Sequence, residues 1–215
     1  VEEHGAAHLP GAAAPFLSAL EEALTGLPQD QAGIRLNGLA GLAPLLGPAR
    51  LGSCAELLLS GALPVRAILF DKSETANWAL GWHQDRTIAV VERADIPGFG
   101  PWSVKAGMQH VEPPFGLIER MLTIRIHLDP VDESNAPLLI APGSHRLGRI
   151  PEREIEAAVA RCGTAACLAE RGDVWIYAAP ILHASAASLI ARHRRVLQVD
   201  YSSDLLPEPL RWLGV

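Results

Sequence analysis

The chain has 215 residues, enough for one well-buried domain and short for two. Apolar residues make up 49% and charged residues 20%, an ordinary globular composition. The net charge of −6, with Lys and Arg scattered, argues against a nucleic-acid surface, which would carry a basic patch.

No apolar run approaches the ~18 residues of a membrane span. The first residues, Val1-Glu-Glu-His-Gly5, lack the basic start and apolar stretch of a signal peptide. Cys54, Cys162 and Cys167 cannot all pair and match no zinc spacing, so they read as free thiols in a reducing compartment. A soluble, cytoplasmic protein is expected, with its oligomeric state open.

In chain order, residues 12–26 carry Phe16, Leu17, Leu20 and Leu24 at helical spacing and end at Gly26 and Pro28. Residues 38–47 and 52–60 read as two shorter helices, parted by Gly47-Pro48 and closed by Gly61. From Pro64 the texture changes to short apolar or β-branched runs bounded by Gly, Pro, Asp or Asn. These predict strands at Val65–Phe70, Thr87–Val91, Leu122–Leu128, Leu138–Ala141, Val174–Tyr177 and Val196–Tyr201. One helix, Glu152–Arg161, interrupts them, with Pro151 at its first turn. Residues 93–114 read as a long Gly/Pro-rich loop, of the kind that forms lids or binding loops. The expected fold is mainly β with flanking helices, a double antiparallel sheet or jelly roll. A single domain over 1–215 is expected, with 1–63 as helical N-terminal support and 64–203 as the jelly-roll core.

His83-Gln84-Asp85 sets an imidazole and a carboxylate two residues apart, on one face of an extended backbone. With one distant histidine, such a pair makes the facial triad that holds Fe(II) in oxygenases. Three ligands on one face leave three adjacent positions open, two for a bidentate 2-oxo acid and one for O₂. The motif alone is weak. Among eight histidines about one H-x-D/E arises by chance, and there are three: His83/Asp85, His110/Glu112 and His127/Asp129. Asp129 enters a turn with Pro130 and Asp132 and reads as turn-capping, while Glu112 precedes Pro113-Pro114 in the long loop. His83 is flanked by Trp78 and Trp82, which would wall off a site; a surface His–Asp pair is the plain alternative.

Gly172-Asp173 starts a strand leading to Pro180-Ile-Leu-His183-Ala-Ser185. Eleven residues beyond His183, Arg194 opens the last strand, where its guanidinium is suited to grip a carboxylate by a charge-assisted fork. The plain alternative is a solvated cluster with Arg192, His193 and Arg195; Arg195 points to the opposite strand face. Thr123, Arg125 and His127 share a face that would be costly in an apolar core, so they line a pocket or face solvent.

Taken together these pieces resemble the phytanoyl-CoA dioxygenase family of Fe(II)/2-oxoglutarate-dependent oxygenases, over roughly residues 64–203. The resemblance is carried by Arg66 to Lys72, Asn77-Trp78, Trp82-His-Gln-Asp85, Leu128-Asp129, Asn135-Ala-Pro-Leu138, Pro142-Gly-Ser-His145, Gly172-Asp173, His183-Ala-Ser185 and Arg194. It implies a double-stranded β-helix, Fe(II) on His83, Asp85 and His183, and 2-oxoglutarate on Arg194 with Ser185 as a second contact. Arg125 stands where some members put an aromatic over the co-substrate, and is assigned to the co-substrate as well. Many members have Asn-Gly-Pro-Leu where this chain has Ala136; Ala is poor at positive φ, so a different turn is expected. His145 is expected to fix its own turn. Lys72, Asn77, Trp78, Trp82 and Trp102 are candidate substrate contacts. Halogenases of the wider fold lack the carboxylate, so Asp85 favours hydroxylation of a small molecule, with O₂ consumed and succinate and CO₂ released. The alternatives are a cupin-like metal enzyme independent of 2-oxoglutarate, a non-catalytic jelly-roll binding module, and a nucleic-acid demethylase, the last disfavoured by the charge.

Overall fold

The computed structural model describes residues 1–28, 31–189 and 193–215; Arg192 of the basic run lies outside them. Six antiparallel strands form the larger sheet: β1 (Ala6–Leu9), β11 (Val174–Ala178), β8 (Leu122–His127), β13 (Arg194–Ser202), β3 (Leu63–Lys72) and β2 (Ile34–Leu36), in that spatial order. A second sheet runs β10 (Ala165–Cys167), β9 (Leu138–Ile140), β12 (His183–Ser185) and β4 (Leu80–His83). Three more strands, β5 (Ile88–Val90), β7 (Met108–Val111) and β6 (Trp102–Lys105), pair separately. The helices are α1 (Leu17–Ala23), α2 (Leu42–Leu46), α3 (Ser53–Glu56), α4 (Phe115–Glu119) and α5 (Ile155–Cys162). Among the described residues no helix is long and apolar enough to cross a membrane.

The alternation of strand side chains gives the larger sheet two different faces. Ala67 and Leu69 of β3, Ile124 and Ile126 of β8, Val174 and Ile176 of β11, and Leu197 and Val199 of β13 point outward. They pack against Leu17, Leu20 and Leu24 of the first helical segment and Leu42, Leu45 and Leu46 of α2. Each fully buried Leu here contributes about 1.5–3 kcal/mol, which holds the helices on this face. The interleaved residues Arg66, Ile68, Phe70, Arg125, Arg194 and Gln198 face the second sheet, and a cavity lies between the two.

Two expectations are corrected. The first 63 residues are not only helical support, because β1 and β2 are the two edge strands of the larger sheet. The segment 93–114 is not a single loop. Ala106 (φ 51°) and Gly107 (φ 78°) close a two-residue hairpin between β6 and β7, and two successive positive φ values are what such a turn needs. His110 and Val111 therefore sit in a strand, and His83 is the last residue of another.

Candidate metal and co-substrate site

The cavity between the sheets has a volume of about 420 Å³. His183 of β12 and His83 of β4 are direct cross-strand partners, with ring centroids 4.2 Å apart. Each ring lies next to a backbone carbonyl that can only accept. Nδ1–H of His83 donates to Gly81 (2.8 Å) and Nδ1–H of His183 donates to Ile181 (2.9 Å). Both tautomers are thereby fixed, which leaves Nε2 of each ring as a free lone pair, as a metal ligand requires. Burial lowers the His183 pKa to about 4, against the opposing pull of Asp85, so the ring is neutral at physiological pH.

Asp85 completes the group: its carboxylate and the two imidazoles offer ligand atoms that all lie within 4.8 Å of one another. Burial alone would raise the Asp85 carboxyl, but Arg66, His183 and His83 outweigh it and hold its pKa below the usual range. Arg66 bridges Asp85 (3.6 Å) and the buried Asp200 (2.5 Å), and also donates to the Thr87 carbonyl (3.1 Å). Asp200 in turn accepts from Thr123 (2.9 Å). Asp85 Oδ2 is itself buried without a hydrogen-bond partner among the described residues. Two imidazoles with Nε2 free and one ionised carboxylate, with an oxygen that has no hydrogen-bond partner among the described residues, fit a single divalent cation of the facial-triad type.

Further along the cavity Arg194 and Arg125 converge. Arg194 is 2% exposed; burial, then the charge of Arg125, depress its pKa to about 9, still fully charged at neutral pH. One of its nitrogens donates to the Ala136 carbonyl (2.5 Å), while its Nε has no partner among the described residues. Arg125 donates to Gln198 (2.7 Å), whose amide oxygen also accepts from Tyr177 (3.3 Å), and its guanidinium lies 5.5 Å over the Phe70 ring. Two buried guanidiniums, neither in an ion pair among the described residues, form a candidate anion site.

Ala136 adopts φ 50°, so the turn is kept despite the missing glycine, contrary to expectation. Its carbonyl accepts from both Arg194 (2.5 Å) and Ser185 Oγ (3.4 Å), which is what over-determines the strained backbone. Replacing Ala136 with Gly is expected to stabilise the protein by about 0.5–1 kcal/mol, which thermal unfolding reads as a rise of about 1–4 °C in Tm. An unchanged or lower Tm would show that the left-handed strain is already relieved.

The other sequence-predicted residues divide. Ser185 lines the cavity and accepts from Lys72 Nζ (2.9 Å). Trp78 also lines it. Lys72 does not; its ammonium is used up on Trp78 O (2.8 Å), Ser185 Oγ and Ala186 O, and it lies 5.0 Å over the Trp78 ring. Burial, then Arg194 and Arg125, lower its pKa to about 7. Asn77 exchanges two hydrogen bonds with the Ser188 backbone (2.9 and 2.8 Å), which makes it a tie between loops. Trp82 alternates with His83 on β4 and so points away from the cavity, packing with Ile150, Ile155 and Leu182 near α5. Trp102 packs with the cluster around the three-stranded sheet, under Arg93, also away from the cavity.

The rival His–acid pairs are engaged elsewhere. Glu112 pairs with Arg149 (2.9 Å). Asp129 is not simply a turn cap: it forms a two-pronged pair with Arg195 (2.9 and 2.7 Å) and accepts the Arg195 backbone N–H. His127 is buried, and neither ring nitrogen has a partner among the described residues; burial lowers its pKa to about 3 and keeps it neutral.

Sequence reasoning assigned no role to Arg66 or Gln84. The Gln84 amide donates to Gly148 O (3.0 Å) and Pro180 O (2.7 Å) and accepts from Ile150 N–H (2.8 Å), pinning the backbone between the two metal-site candidates that flank it. Ser144 Oγ accepts the N–H of Leu182 (2.8 Å), one residue before His183. His145 does not fix its own turn; it donates to Glu2 O (3.2 Å) and leaves no room for a Cβ at Gly5, so it docks the N-terminal segment. Asp173 does the same, accepting from His8 (2.8 Å) and Gly11 N–H (2.8 Å).

Two facing antiparallel sheets with a His-Asp-His group and an anion site between them define a jelly-roll oxygenase of the facial-triad class. The profile "Phytanoyl-CoA dioxygenase (PhyH)" matches residues 58–196, and the chain belongs to this family of Fe(II)- and 2-oxoglutarate-dependent oxygenases. No curated protein matches the chain. Among solved structures, the fold is similar to the apo form of EctD from S. alaskensis (TM-score 0.68, 20% identity, 99% of this chain and 78% of that one). It is also similar to the non-heme alpha ketoglutarate dependent epimerase SnoN from nogalamycin biosynthesis (0.66, 18%, 94% and 77%). HygX from Streptomyces hygroscopicus, solved with nickel and 2-oxoglutarate bound, is a third (0.62, 15%, 96% and 86%). At these identities the likeness is one of fold.

Proposed function

We propose that this enzyme hydroxylates a small-molecule substrate in the cytoplasm, using Fe(II) on His83, Asp85 and His183 and 2-oxoglutarate anchored by Arg194 and Arg125. The observation that supports this reading most is the pairing of a three-ligand group with two buried guanidiniums across one cavity. When bound, iron with 2-oxoglutarate and O₂ supplies an oxidant able to hydroxylate an unactivated C–H bond, with succinate and CO₂ released. The chain's own part is to orient and exclude. Gly81 and Ile181 carbonyls hold the imidazoles by Nδ1, Arg66 aims the Asp85 carboxylate, and Ala136 O and Ser185 position the far end of the cavity. Phe70, Leu138 and Ala184 supply dry walls. The three free thiols are in keeping with a reducing cytoplasm.

Anaerobic addition of Fe(II) and then 2-oxoglutarate is expected to give a weak visible charge-transfer band in wild type and none in His183→Ala. No band in wild type, or an equal band in the variant, would overturn the proposed site. A metal-dependent turnover indifferent to 2-oxoglutarate would instead favour a cupin-like enzyme.

A further inference from the structure

Among the described residues the cavity lining carries six cationic side chains, Arg35, Arg66, Arg86, Lys105, Arg125 and Arg194, against a single carboxylate, Asp85. Two of the six are neutralised locally. Arg66 is paired with Asp200, and Arg86 donates to Ile150 O (2.7 Å) and lies 3.9 Å from Glu152. Arg194 and Arg125 are accounted for by the distal carboxylate of 2-oxoglutarate on the function proposed above. Arg35 and Lys105 remain. Among the described residues neither forms a side-chain hydrogen bond or ion pair, and Arg35 Nε is buried without a partner. Burial lowers the pKa of each; the neighbouring Arg66 lowers Arg35 further, and Arg35 and Arg66 lower Lys105 against the opposing pull of Asp85. Cations that outnumber the carboxylates of a cavity carry a cost, and an anion there removes it.

That anion is not 2-oxoglutarate. Arg194 stands opposite Lys72 on β3, and Arg35 stands opposite Ile68 on the other side of the same strand. Four residues along a strand and two strand spacings across place the two backbones about 16 Å apart. A five-carbon dianion with its far carboxylate on Arg194 and its other end on the metal group has both carboxylates engaged and none left for Arg35. The charge balance agrees: Fe(II) is matched by Asp85 and the C1 carboxylate, and Arg194 with Arg125 faces the far carboxylate. Ile68, Phe70, Leu80 and Trp78 give the same cavity an apolar lining.

We propose that Arg35 of β2 and Lys105 of the β6–β7 hairpin form the substrate's anion subsite, and that the substrate is a small molecule bearing a carboxylate or phosphate group on an apolar body. The anionic group is held at the cavity mouth and the apolar body lies across Ile68 and Phe70, presenting a C–H bond to the metal group. The inference rests on the proposed function for the seat of 2-oxoglutarate, but not for the Arg35–Lys105 pair itself.

The test is isothermal titration of the metal-loaded, 2-oxoglutarate-saturated protein, held anaerobic, with phenyl phosphate, benzoate and benzyl alcohol as probes. At least one of the two anions is expected to bind at least tenfold more tightly than benzyl alcohol. Its affinity should fall at least tenfold in an Arg35→Gln/Lys105→Gln double variant, while 2-oxoglutarate affinity is retained. Arg35→Lys, which keeps the charge, should keep most of the binding and guards against misreading a folding defect. No binding by either anion, equal affinity for benzyl alcohol, or anion affinity unchanged in the double variant would overturn the proposal. So would displacement of the anion by excess 2-oxoglutarate, since the probe would then be reporting Arg194. If 2-oxoglutarate fails to bind while an anion still binds in an Arg35-dependent way, the proposed function fails and this subsite stands.

Discussion

Asp85→Ala is expected to abolish retention of one equivalent of Fe(II) and to remove 2-oxoglutarate-dependent succinate formation. Among the described residues Asp85 is the only carboxylate that lines the cavity, and its loss leaves two imidazole ligands with no negative charge to balance a dication. The deficit should exceed the roughly 10–100-fold that follows when a group that merely orients a ligand is removed. Arg66→Lys supplies that comparison within the same protein. It keeps the positive charge beside Asp85 and Asp200 but loses the fork that reaches both, along with the donor to Thr87 O. Metal content measured by elemental analysis after gel filtration, with succinate measured in parallel, separates the two effects. Equal iron content in wild type and Asp85→Ala would remove Asp85 from the ligand set. Asp85→Ala also leaves Arg66 with Asp200 as its one carboxylate partner, so the variant is expected to fold.

The contrast between Asp85 and Arg66 also shows what the sequence could reveal. His83 and Asp85 share a short motif, His183 and Arg194 stand in order behind it, and the family resemblance drew these four together where the spacing alone was weak. Arg66 lies some twenty residues earlier and meets Asp85 only because both line the cavity between the two sheets. Its partner Asp200 shares the cavity-facing side of β13 with Arg194 and Gln198, a period-two relation visible in sequence but meaningless until the strand neighbours are known. The same period misled where it was not applied: Trp82 adjoins His83 and must point to the other face. The edge strands were hidden for a different reason. Ala6-Ala-His-Leu9 and Ile34-Arg-Leu36 are too short and too weakly β-prone to stand out, and they become strands by pairing with β11 and β3. Arg35 went unremarked with them. The hairpin over 102–111 was masked by the Gly and Pro residues around it, and Ala106-Gly107 is a weaker turn signal than Asn-Gly.

Arg194 carries the second large expected effect. Arg194→Gln should raise the KM for 2-oxoglutarate by about 150-fold, the equivalent of about 3 kcal/mol for two lost charge-assisted hydrogen bonds. At saturating 2-oxoglutarate kcat should fall far less, because the distal carboxylate is remote from the reacting bond and its binding is shared by ground and transition states. The stability of the unliganded protein should move the other way or not at all. Arg194 is a buried cation facing Arg125 and close to Lys72, and burial together with Arg125 already depresses its pKa to about 9. Gln retains a donor for the Ala136 carbonyl while removing that repulsion. Lys72 would gain as well: with one of its two opposing cations gone, its pKa should rise from about 7. Steady-state kinetics across a range of 2-oxoglutarate concentrations, with melting curves recorded in its absence and presence, read both halves. Wild type should be stabilised by 2-oxoglutarate and the variant hardly at all, although the variant alone melts no lower. An unchanged KM would place the co-substrate's far carboxylate on Arg125 instead, and Arg125→Gln would then show the loss. A KM that is unchanged in both variants would leave the paired guanidiniums without a role in co-substrate binding.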